Sequence, residues 1–304
     1  MNNLFPLMRR EWLQHRFAWA LLVLVPLALA VLLLSFGQIQ FDQDFASRSG
    51  PELAAMLGLM SIVASTAVVF LIVWLTSMFI TSTLARRDHA DRSIEFWLSL
   101  PTGHAESLAA PLLVHLVLVP AAALLLGLVG GYAISLLVVT RFVGIGEWIS
   151  LPWGNMLAGT LSVVARVMAG LPLATLWLSP LILLAVLCNA LFRRWGLPVL
   201  AVGLAVGSSV LEYVFAQPLL GDVLARLGRG AGLALAGASG QGLVIDDKTD
   251  PLLALQALPG WAVRDLLAAL REAASPAFAG ALVVSALLFA ALVLWRQRGA
   301  ATAS

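Results

Sequence analysis

The chain has 304 residues, of which 61% are apolar and 11% charged, and its net charge is +2. A soluble domain carries about 25% charged residues, and no soluble fold of this size hides so much apolar surface, so the sequence anticipates lipid as its solvent. The pI of 9.2 does not point to nucleic acid, because the basic residues are scattered between apolar runs and form no basic face.

In chain order, Arg9, Arg10 and Arg16 precede an apolar run over 17–36 in the manner of a secretory signal. The run exceeds a signal core and no small-residue cleavage site follows it, so it reads as a retained first helix. A helix needs about 20 apolar residues to cross the hydrocarbon. Six runs qualify, at 17–36, 59–84, 108–139, 167–191, 195–216 and 277–295. Backbone groups in lipid must bond within their own segment, so the fold class is an all-α polytopic membrane protein with six spans in a single domain.

The second run carries Thr66, Phe70, Trp74 and Met78 at i+4 spacing, which reads as helix packing or as the lining of a pathway. The third holds Pro111 and Pro120 and predicts a kink or an interfacial first turn. His115, near its start, reads as a lone packing histidine in preference to a proton relay. The fourth can begin as early as Met156, with Arg166 at the outer interface. It contains Cys188, the single cysteine, so no intrachain disulfide forms. Glu212 and Tyr213 close the fifth at the outer interface.

Basic residues flanking the spans set the orientation. With the N-terminus inside, the cytoplasmic segments hold ten arginines, including the pairs Arg86-Arg87 and Arg193-Arg194, against five acids; the rest of the chain holds eight basic and eleven acidic residues. Both termini are then cytoplasmic, and 217–276 is the largest outer segment. Within it Leu219, Leu220, Val223, Leu224 and Leu227 share one helical face, opposite Asp222, Arg226 and Arg229. Val263, Leu266, Leu267 and Leu270 share another, opposite Arg264, Asp265, Arg271 and Glu272. These helices read either as lying on the outer leaflet or as a gate over an exit. Asp246-Asp247-Lys248-Thr249-Asp250 lacks the oxygen ligands and glycine turn of a calcium loop, and no metal is assigned.

The densest charge lies in 84–104, LARRDHADRSIEFWLSLPTGH. Ile94, Trp97 and Leu98 fall at i, i+3 and i+4, one face of a short helix. Asp88 or Asp91 can cap it and Pro101 stops it. Arg92, Glu95 and Ser99 occupy the other face. The period alone fits an interfacial helix with its tryptophan among headgroups as well as a helix that docks on a cytoplasmic partner.

The run Ser93-Ile94-Glu95-Phe96-Trp97-Leu98-Ser99-Leu100-Pro101 resembles the T-L-E-x-L-L-S-L-P signature of ABC-2 type permeases. In that family it follows the second of six helices and contacts the ATPase subunit, which favours docking. Phe5-Pro6-Leu7-Met8-Arg9-Arg10-Glu11-Trp12 is similar to the family's amphipathic elbow helix, here placed over 1–16. The chain differs from the family's usual residues at Asp91-Arg92, His104 and Ala109-Ala110. The resemblance implies a permease subunit of an exporter in a bacterial cytoplasmic membrane, with no catalytic residue and no cofactor of its own. It implies that Arg92, Ile94, Glu95, Phe96, Trp97, Leu98 and Leu100 meet the ATPase and that Arg9, Arg10, Glu11 and Trp12 form the elbow. It also implies two copies of a separate subunit that binds ATP and Mg, a second permease chain, identical or homologous, and outer helices that form a gate.

The residues agree with a motor elsewhere, since Lys248, the only lysine, has no glycine loop ahead of it to cradle phosphates. The glycine runs at 228–232 and 237–242 fall on the outer side. Exposed ion pairs are worth about 0–1 kcal/mol, so Phe96 and Trp97 should dominate docking. Largely apolar spans suit an amphipathic or hydrophobic cargo. Two other classes compete. An ion-coupled secondary transporter predicts acids at mid-membrane, and no run has a central Asp or Glu. A membrane-embedded enzyme needs a convergent set; the chain has no H-E-x-x-H and no G-x-S-x-G, and His15, His89, His104 and His115 are not paired with acids at ligand spacing inside the membrane.

Overall fold

A computed structural model describes residues 4–37, 50–90, 104–240 and 251–301. The seven residues assigned to docking, and Asp246 to Asp250, lie outside the described residues. The described chain is helical throughout. Its elements are α1 (Leu4–Phe36), α2 (Gly50–Ala90), α3 (His104–Leu113), a π-helical turn (Val114–Leu118) and α4 (Val119–Phe142). There follow α5 (Ile145–Ile149), α6 (Trp153–Phe192), a 3-10 turn (Arg193–Trp195), α7 (Gly196–Tyr213), α8 (Leu219–Leu235), α9 (Pro251–Ala273) and α10 (Pro276–Ala301).

Five helical stretches among these are long and apolar enough to cross a membrane: Leu4–Phe36, Gly50–Leu84, Ala105–Phe142, Trp153–Tyr213 and Pro276–Gln297. The chain is thus a multi-pass membrane protein. The fourth stretch contains the fourth and fifth expected spans. It is broken where Arg193 takes φ 60°, a left-handed value that costs a residue with a Cβ, and Gly196 then seats directly on the backbone of Asn189.

Two expectations change. The elbow over 1–16 is not a separate element, because α1 runs from Leu4 to Phe36 without a break. Pro6 falls in the first turn, where a missing N–H costs nothing, and no residue before Pro26 stops a helix. Second, α2 begins at Gly50, so nine residues expected in a loop are helical. In the third span Pro111 lies inside α3 and Pro120 directly follows the π turn. Pro120 cannot donate to the carbonyl of Leu116; the helix widens, Val119 N–H bonding to Val114 O, and the Thr175 hydroxyl donates to the Leu116 carbonyl at 3.4 Å.

The tightest joint is between α2 and α4. A Cβ on Gly131 would stand 2.8 Å from the Cα of Ile62, and one on Gly127 3.0 Å from the Cα of Thr66. Two glycines four apart on one face let the backbones touch, which matters in lipid because burial of apolar surface no longer drives association. Gly130, off that face, meets Leu27 of α1. The second centre is α6, which packs on α2, α8, α9 and α10. Elsewhere apolar side chains such as Leu24, Leu33, Val129 and Leu287 face outward, as a lipid solvent requires.

Polar contacts sort the molecule into two ends. Glu11 meets His115, Asn189 Nδ2 donates to the Ser82 carbonyl at 3.0 Å and Arg296 donates to Ser107 Oγ at 2.9 Å; these share the end that carries the N-terminus. At the other end Arg141 donates to the Gly37 carbonyl at 3.0 Å, and Trp148 and Trp153 pack with centroids 4.6 Å apart.

Gly131→Ala should lower stability by about 1–3 kcal/mol, the usual cost of overpacking, whereas Gly203→Ala, with no neighbour within 4 Å, should not. Thermal unfolding of both variants in the same detergent checks this; equal midpoints would refute the direct backbone contact.

Candidate functional site

An apolar cavity of about 220 Å³ lies between α2, α4, α6 and the segment after α7. Its walls include Thr66 and Phe70 from α2, Leu124 and Leu128 from α4, and Thr160 and Val167 from α6. Leu235 at the end of α8 and Leu258 of α9 also line it. The polar atoms along the wall are already engaged. Thr66 Oγ1 donates to the Ile62 carbonyl at 2.7 Å, and Thr160 Oγ1 to the Met156 carbonyl at 2.7 Å. Tyr132 Oη sits 2.8 Å from Thr160 Oγ1. With those hydroxyls satisfied, the space offers shape and apolar surface and no charge.

Of the stripe expected to line a pathway, Thr66 and Phe70 do line this cavity. Trp74 lies beyond it, stacked on Phe70 at 5.7 Å with the rings 13° apart. Met78 is half-buried and is not among the lining residues.

The cavity is held at its α8–α9 side by a buried ion pair. Arg166 is 2% exposed. Its Nε donates to Asp265 Oδ2 at 2.9 Å, Nη1 to the Ala234 carbonyl at 2.7 Å and Nη2 to the Leu233 carbonyl at 3.1 Å. The two carbonyls belong to the last turn of α8, where intrahelical partners run out and a cation is favoured. Asp265 in turn accepts from the amides of Gly237 at 3.0 Å and Ser239 at 2.7 Å. Gly237 has φ 90°, which a side chain would resist. A methyl on Gly170 would overlap the Ala234 carbonyl. One guanidinium therefore fastens α6, the end of α8 and α9 together.

The sequence placed Asp265 on a polar outer face of α9, and this is corrected. Asp265 is fully buried, while Val263, Leu267 and Leu270 on the apolar face are exposed. Arg264, Arg271 and Glu272 are exposed as expected, and the face that turns inward carries Leu255, Leu258 and Trp261 with Asp265. Burial pushes the Asp265 carboxyl up, but the Ser239 and Gly237 amides and the Arg166 guanidinium outweigh it and hold the pKa below the ordinary aspartate value.

A second buried polar group lies at the opposite end. His115 is fully buried and Glu11 is 4% exposed; His115 Nε2 is 3.4 Å from Glu11 Oε2. The rings of His15 and His115 meet edge to face at 5.3 Å, and Trp19 packs on His115 at 5.7 Å. The reading of His115 as a histidine without an acid is therefore overturned. Of the four elbow residues, Glu11 turns inward to this group, Arg9 and Trp12 are exposed and Arg10 is half-buried. Spacing in the sequence pairs Glu11 with His15 only, at i+4; the fold supplies the third member from α3 and its π turn. The chain matches no protein-family model, no curated protein and no solved structure.

Arg166→Met and Asp265→Leu should each cost about 3–5 kcal/mol, since each strands a buried charge, and the double variant should cost less than either. A double-mutant cycle of unfolding in detergent measures this. Asp265 adds stability that is present above the unfolded aspartate pKa of about 3.9 and is lost as pH falls through its lower folded value. The gap in unfolding midpoint between the wild type and Asp265→Asn should accordingly narrow below about pH 4.

Proposed function

We propose that the chain is the permease subunit of an ABC-2 type exporter, moving an amphipathic or hydrophobic substrate with energy from ATP hydrolysed on a separate subunit. In this reading α6 and α7 cross separately, giving six spans with both termini in the cytoplasm of a bacterium. The positive-inside count of the sequence supports that orientation. Two permease chains, identical or homologous, would assemble with two ATPase subunits.

The observation that carries the reading is the continuity of α2. Its 41 residues span about 60 Å at 1.5 Å per residue, twice the roughly 30 Å hydrocarbon. Thr66 and Phe70 on this helix line the cavity, and the same helix runs unbroken to Ala90, three residues before the signature run Ser93 to Pro101. A displacement of the docking segment by a motor would therefore reach the cavity wall through one rigid rod. The cavity's apolar, charge-free lining suits an apolar cargo. Leu235 and Leu258, held by the Arg166–Asp265 pair, suit a gate that opens when that pair separates. No catalytic residue is assigned to the chain.

The tagged chain, purified from its native membrane in mild detergent, should bring with it a soluble subunit that hydrolyses ATP. Trp97→Ala and Phe96→Ala should each weaken that association by about 30-fold or more, the scale of an interface hot spot. Purification of a well-folded chain with no ATPase, and no effect of either variant, would overturn the reading and bring the ion-coupled transporter forward.

A further inference from the structure

We propose that Glu11, His15 and His115 form a binding site for a divalent transition-metal ion, with zinc the best match. The site sits where α1 packs on the π turn, and it is independent of the transport reading. Each residue offers one ligand atom, and these atoms lie within 4.8 Å of one another. Zinc holds nitrogen at about 2.0–2.1 Å and carboxylate oxygen at about 2.0–2.2 Å. Ligand atoms around it therefore sit roughly 3.3–3.5 Å apart in a tetrahedron. Side-chain shifts of about an ångström close the difference.

Three features point to a ligand and not merely to packing. Neither ring nitrogen of the fully buried His115 makes a hydrogen bond; Nε2 has only the 3.4 Å contact to Glu11 Oε2 and Nδ1 has no polar partner, an arrangement that is costly for a buried polar group. Glu11 and His15 are one turn apart on α1 and so project from the same face, as two ligands on one helix must. His115 lies in the π turn Val114–Leu118, a widened turn of the kind found at functional sites. The donor set selects the ion. Two imidazoles and a carboxylate suit zinc or a neighbouring transition metal, whereas calcium and magnesium favour oxygen alone. Trp19 supplies an apolar wall against His115. His15 is half-buried, so the ion would reach the group from the His15 side.

The test uses the full chain in detergent, purified by a tag without histidine and stripped by chelator. Equilibrium dialysis against zinc, and absorption after titration with cobalt(II), are compared for the wild type, His15→Gln, Glu11→Gln and the double variant His89→Gln/His104→Gln. The expected result is one zinc per chain and cobalt bands of a four- or five-coordinate ion. His15→Gln and Glu11→Gln should each weaken binding by at least about 100-fold, the upper end of what outer-shell changes cause. The double variant should bind as the wild type does. His15 is partly exposed, so its variant stays folded, which size-exclusion chromatography verifies. Absence of stoichiometric zinc, a cobalt spectrum like that of the hydrated ion, or unchanged affinity in His15→Gln would each overturn the proposal.

Discussion

A guanidinium cannot escape burial by giving up its proton, because its pKa lies beyond any physiological range. Once Arg166 is placed inside a helix bundle, the rest of that end has to be built around its charge. The protein surrounds it with one carboxylate and two helix-terminal carbonyls, drawn from α8 and α9. The carboxylate then has lone pairs of its own to satisfy, and the loop after α8 folds so that two amides reach it. Each requirement generates the next. The product is a cap of helices that belong to no span and yet are fixed to one. Removing either charge leaves the other buried alone, a penalty of several kcal/mol in a protein whose whole stability is about 5–15 kcal/mol.

The other half is organised by the opposite device, the absence of side chains. Gly127 and Gly131 bring α4 onto the backbone of α2 at Thr66 and Ile62, and Gly130 admits Leu27 of α1. Contact at backbone distance fixes the rotation of both helices. It thereby decides which residues of α2 face the cavity and which face lipid. The glycine contact and the cavity share a face of α2: Ile62 and Thr66 take part in both. Any tilt of α2 must slide across that joint.

Much of the fold is legible in the sequence, because lipid forces each spanning segment to be long, apolar and internally bonded. The positions of the apolar runs follow from that rule alone. Their ends do not, since helices continue past the hydrocarbon wherever no residue stops them, as α1 does back to Leu4 and α2 does out to Ala90. The period of α8 and α9 is legible, and Asp222, Arg226, Arg229, Arg264, Arg271 and Glu272 are exposed as it implies; the burial of Asp265 is not, because its partners come from α6 and from the loop after α8. The glycine pair at 127 and 131 stands in an apolar run at a spacing that signals helix contact, and that signal was available. Thr66 and Phe70 are legible as a lining pair; Trp74 and Met78 share their stripe but run past the cavity. The meeting of His115 with Glu11 was not available, because nothing local to either residue specifies that α1 lies against α3. Only tertiary packing supplies it.

The π turn at Val114–Leu118 has a further meaning when viewed as arithmetic on the chain. A helix advances about 100° per residue, and a π turn holds one residue more than an α turn in the same rise. It therefore absorbs a single extra residue without altering the faces on either side. Deleting one residue there would return the segment to an ordinary α-helix and leave both flanking registers in place. Deleting one residue a few turns later would rotate Gly127 and Gly131 by about 100° away from α2. Length variation in this chain is thus tolerated at one turn of the helix and forbidden at the next. The turn that tolerates it is the one that carries His115.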